Sequence, residues 1–100
     1  MDLIVSVQDV TDYLGIEFAE IDPVINNIIE RQISAADGYL SGAIGKDYDR
    51  EDLRAKELAV MIAAELYNTR GLTSAKQEAS VRRIAADFIQ QLRLEGRGDQ

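Results

Sequence analysis

The sequence predicts an all-α fold: a compact bundle of four helices, at about 7–14, 23–43, 51–70 and 75–94, around a buried central third helix. Three observations predict it. The stretch Leu53–Arg70, LRAKELAVMIAAELYNTR, holds a single charged residue, Glu65, between Leu58 and Tyr67. A helix that is apolar on every side wants neighbours on every side. Elsewhere, apolar residues recur at three- and four-residue steps, the period of a helix with one buried stripe. The segments so marked open on Ser, Thr or Asp and close near Gly, which are helix start and stop signals.

Residues 2–5 read as a short extended lead-in. Ser6 then offers an N-cap with Asp9 three residues on, a capping box in its weaker acidic form. Val7, Val10 and Leu14 share one face of the first helix, Asp9 and Asp12 lie on the outer one, and Gly15 stops it. Ile16 and Phe18 are apolar anchors for the connection that follows.

Asp22-Pro23 starts the second helix, because proline at the first helical position loses an N–H that would have no partner anyway. Ile25, Ile28, Ile29, Ile33, Ala36 and Leu40 form its apolar stripe; Asn26, Asn27, Glu30, Arg31, Gln32 and Asp37 form its polar side. Gly38 lies inside the helix, so either another helix approaches closely there or the cost is simply tolerated. Gly42 and Gly45 mark the end, and residues 45–50 form a loop.

Acids at 49–52 precede the third helix, where the helix dipole favours them. Its small residues, Ala59, Ala63 and Ala64, allow close approach, while Leu58, Met61, Ile62 and Leu66 fill the gaps. Gly71 closes it. Thr73 or Ser74 caps the fourth helix, with Ser74 and Gln77 spaced as a capping box. Its stripe is Val81, Ile84, Ala85, Phe88, Ile89 and Leu92, and a polar tail from about residue 95 is expected to fray. The whole, residues 1–100, reads as a single helical domain.

Composition removes most chemistry. There is no Cys and no His, so thiolate sites, disulfides and the commonest general base and metal ligand are absent. No apolar run approaches the length that spans a bilayer, and the start, MDLIVSVQD, lacks the basic region of a signal peptide. The acids Asp47, Asp49, Glu51 and Asp52 fail the calcium-loop test, since the positions needing Gly and Glu hold Asp52 and Leu58. They read as a solvated, helix-capping loop. Arg97-Gly98-Asp99 reads as a chance tripeptide, and no glycine-rich phosphate loop is present. Glu65 is the one candidate for a buried carboxylate; a partner among Arg70, Arg82 and Arg83, or a subunit boundary, would account for it. No catalytic, cofactor-binding or metal-ligating residue is assigned.

Charge is unevenly spread. Of the net −7, residues 1–22 contribute −6 and include no Lys or Arg; from Arg70 onward basic residues outnumber acids. Such a split lets unlike ends of neighbouring copies attract. The bland account is a solvated acidic surface. A helix-turn-helix DNA-binding regulator is the alternative function, resting on Lys76, Gln77, Arg82 and Arg83 in the last helix. The acidic remainder of the chain opposes it.

The order of elements resembles a known family. A capped helix ending "DYLGI", an Asp-Pro-led helix, "GYLSGAIGKDYD", a helix ending "LYNTRG" and the closing "VRRIAADFIQQLRLE" are similar to small phage and prophage head–tail connector, or adaptor, proteins, sometimes labelled possible DNA-packaging proteins. The resemblance implies a non-catalytic structural part of the virion, assembled in the host bacterial cytoplasm without cofactor or membrane. It implies a homo-oligomeric ring of about a dozen copies between the portal protein and tail-completion or further connector proteins. DNA would pass through the channel without specific binding, helped by an acidic lining. The charge split suggests the subunit interface: Asp9, Asp12 and Glu17 on one copy against Arg82, Arg83 and Arg93 on the next.

Overall fold

Ser6 shows how locally the helix ends are decided. Its Oγ accepts the Asp9 N–H at 3.0 Å, while Asp9 Oδ2 accepts the Ser6 N–H at 3.0 Å, so both arms of the capping box close. Helix α1 follows, Val7–Leu14, and Gly15 ends it at φ 78°, a left-handed conformation that strains any residue with a Cβ. The computed structural model describes residues 3–17, 21–45 and 48–96, with the backbone alone at 87–89 and 91–96. Phe18, Lys46, Asp47 and the tail tripeptide at 97–99 therefore lie outside the described residues.

Helix α2, Pro23–Ile44, starts at Asp22, whose Oδ1 accepts the Ile25 N–H at 2.8 Å, and ends at Gly45. Helix α3 is Leu53–Asn68, shorter at both ends than the sequence suggests. Asp52 Oδ1 accepts the Arg54 N–H at 2.8 Å and Asp49 Oδ1 accepts that of Glu51 at 2.9 Å, so the acids form a turn before the helix. At the other end both the N–H and the hydroxyl of Thr69 donate to the Glu65 carbonyl, at 2.9 and 2.7 Å, which releases the chain before Arg70. Helix α4 spans Ser74–Gly96.

Thr73, not Ser74, caps α4: its Oγ1 accepts the Lys76 N–H at 3.3 Å. The expected Ser74–Gln77 box does not form, because Gln77 Nε2 donates instead to the Leu66 carbonyl at 3.2 Å and Thr69 Oγ1 at 3.4 Å. Helix α4 is thereby tied to the end of α3.

Helix α3 packs against α1, α2 and α4. Its buried side is Ala55, Leu58, Ala59, Ile62, Ala63 and Ala64, meeting Ile29, Ile33, Ala36 and Leu40 of α2, Val10 of α1, and Val81 and Ala85 of α4 in one core. The side chains of Phe88, Ile89 and Leu92, expected to extend the α4 stripe, lie outside the described residues. Four alanines in the buried row let the helices come close, so small residues here are a packing requirement. The helix is not enclosed on every side. Val60, Met61 and Leu66 are half-buried and Leu53 is 80% exposed.

The lead-in belongs to the core, which its sequence does not announce. Ile4 and Val5 are 3% and 7% exposed, and Lys56 Nζ donates to the Ile4 carbonyl at 3.0 Å. An eight-residue connection, 45–52, makes α2 and α3 antiparallel neighbours. The start of α2 therefore lies at the end of α3.

Candidate assembly surfaces

Burial of Val10 and Thr11 turns the opposite side of α1 outward, and that side carries Asp9, Asp12 and Tyr13. Glu17, just past the helix, is also exposed. Asp9 holds the Ser6 N–H yet keeps its charge at the surface. All three acids named from the sequence are thus exposed.

The basic group is more divided. Arg82 and Arg83 are exposed on α4, and Arg82 Nη2 already meets Glu78 Oε1 at 2.6 Å across one helical turn. Both partners are mostly exposed, so that pair holds Arg82 only weakly. Arg93 lies on α4 with its side chain outside the described residues. Ion pairs join Arg50 to Asp37, Arg54 to Asp52, Lys56 to Glu51 and Arg82 to Glu78; none of these four links the acidic group to the basic one.

Glu65 is half-buried on α3 and pairs with none of the three arginines suggested for it. Arg70 lies 4.1 Å over the Tyr67 ring and donates to the Tyr67 carbonyl at 2.6 Å, while Arg82 is turned to Glu78. The DNA-reading face weakens for the same reason: Gln77 spends its amide on the α3 end. Among the described residues no three acids, His or Cys are grouped to hold a metal. Among them, too, no helix is long and apolar enough to cross a membrane.

One cluster escapes sequence reading. The Tyr48 hydroxyl donates to Asp37 Oδ1, and Arg50 Nη2 sits 3.2 Å from Asp37 Oδ2. Burial, and then donation to the Asp37 carboxylate, push the Tyr48 phenol well above its usual range. Asp37 stands on the polar side of α2, eleven residues before Tyr48, and no local period connects the two. The cluster clamps the α2–α3 connection.

A groove of about 420 Å³ opens between α1 and α3. Val5, Tyr13, Val60 and Met61 supply its apolar lining, with Asp9 and Glu57 at its rim. Tyr13 is 59% exposed there.

Compared with known families, residues 4–93 match the family model described as Phage gp6-like head-tail connector protein. Neither the curated proteins nor the solved structures that were compared with the chain gave a match.

Proposed function

The chain belongs to the Phage gp6-like head-tail connector family, and on that premise we propose that it is a non-catalytic adaptor forming a ring of about a dozen copies between portal and tail components. The family match over residues 4–93 carries this reading. It makes the protein a structural part of a phage particle; the helix-turn-helix alternative is not favoured.

The surfaces support the finer reading. A closed ring needs two different, complementary faces on each subunit. Asp9 and Asp12 stand exposed on α1 with Glu17 exposed just past it, and Arg82 and Arg83 stand exposed on α4. In this reading Arg93 extends the basic face, the 1–100 chain acts as one domain, and assembly takes place in the host cytoplasm around the portal. Acids that do not enter the subunit contact line the channel, where like charge lets DNA slide.

The test is to remove the protein during particle production. Heads and tails should accumulate unjoined. Normal yields of tailed particles would refute the assignment.

A further inference from the structure

Two surface features among the described residues complement each other but cannot meet within one copy. The first is the groove between α1 and α3, lined by the apolar Val60 and Met61 and the exposed ring of Tyr13, with the acids Asp9 and Glu57 exposed beside them. Lys56 also lines it, but its ammonium is turned to the Ile4 carbonyl at 3.0 Å and to Glu51 at 3.8 Å. The second is Leu72, 47% exposed on the turn between α3 and α4.

That turn is held from several sides. The Leu72 N–H donates to the Thr69 carbonyl at 2.8 Å, Gln77 reaches back to Leu66 and Thr69, and Thr73 caps α4. Arg70, fixed against the Tyr67 ring, and exposed Lys76 flank it. An apolar side chain between two cations, presented on an ordered turn, loses little freedom on docking.

Groove and turn also lie apart. Val60 and Met61 sit in the middle of α3, whereas Leu72 comes after its end, which lies about 10–12 Å further along the axis. A copy cannot fill its own groove with its own Leu72. From the match of polarity and charge we infer that the groove between α1 and α3 receives Leu72 of a second copy of this chain, with Arg70 and Lys76 of that copy facing Asp9 and Glu57. This contact is head-to-tail, the kind that closes rings. It rests on the connector reading and assigns that ring its apolar contact.

The chain has no cysteine, so introduced ones report unambiguously. Tyr13→Cys and Leu72→Cys combined in one chain, supplied during particle production and oxidised in purified particles, should give a ladder of disulfide-linked oligomers. Each single variant should enter particles and give no ladder. The pair Glu57→Cys with Lys76→Cys, at exposed polar positions, repeats the test if the first variant does not fold. Particles that contain the protein but yield no ladder with either pair overturn the inference while leaving the connector assignment intact. Absence of even the wild-type protein from particles overturns both.

Discussion

Gly38 is exposed in the interior of α2, and a methyl group placed on it would meet nothing within 4 Å. Close approach of another helix is therefore not the reason for glycine here. Gly38→Ala should stabilise the protein by about 0.5–1 kcal/mol, read as a higher midpoint in urea unfolding. Tyr48 acts in the other direction. Tyr48→Phe removes the donor to Asp37 and should cost about 1 kcal/mol at neutral pH, since the site is only partly buried. Because the folded phenol titrates above its unfolded value, its contribution is complete below about pH 10 and is lost as pH rises further. The stability gap between wild type and Tyr48→Phe should thus narrow above that pH; a gap constant to pH 11 would contradict the clamp.

At the level of elements, what can be read from sequence is what the chain settles within a few residues. Ser6–Asp9, Gly15 and Asp22-Pro23 place the ends of α1 and the start of α2 because a cap involves only neighbours. The ends of α3 shift because Asp52 and Thr69 compete for backbone groups that the apolar pattern does not register. Gln77 leaves its expected box because α3 offers it acceptors, a tertiary choice. The Asp37–Tyr48–Arg50 cluster and the burial of Ile4 and Val5 depend on the packed bundle and have no period to betray them. The acidic surface residues were legible from charge alone, whereas the groove between α1 and α3 requires two helices to be placed side by side. Close packing of α3 makes its own prediction. Ala63→Leu, at a fully buried position, should destabilise by about 1–3 kcal/mol through overpacking. Unchanged thermal unfolding would mean that α3 is not packed as described.

For the whole molecule, the acidic and basic groups bear on assembly and hardly on folding. Reversing Arg82→Glu and Arg83→Glu together breaks one exposed pair, a change of about 0.5 kcal/mol. The variant should keep its helical circular dichroism and its unfolding midpoint yet enter particles poorly. Normal incorporation would show that these charges take no part in subunit pairing. The most direct test of the central claim, that this chain works by packing against copies of itself between head and tail, is the native mass of portal complexes isolated from particles. A ring of subunits around the portal gives about a dozen chains per portal ring. Portal complexes that lack the chain, or carry one or two copies of it, would contradict that claim.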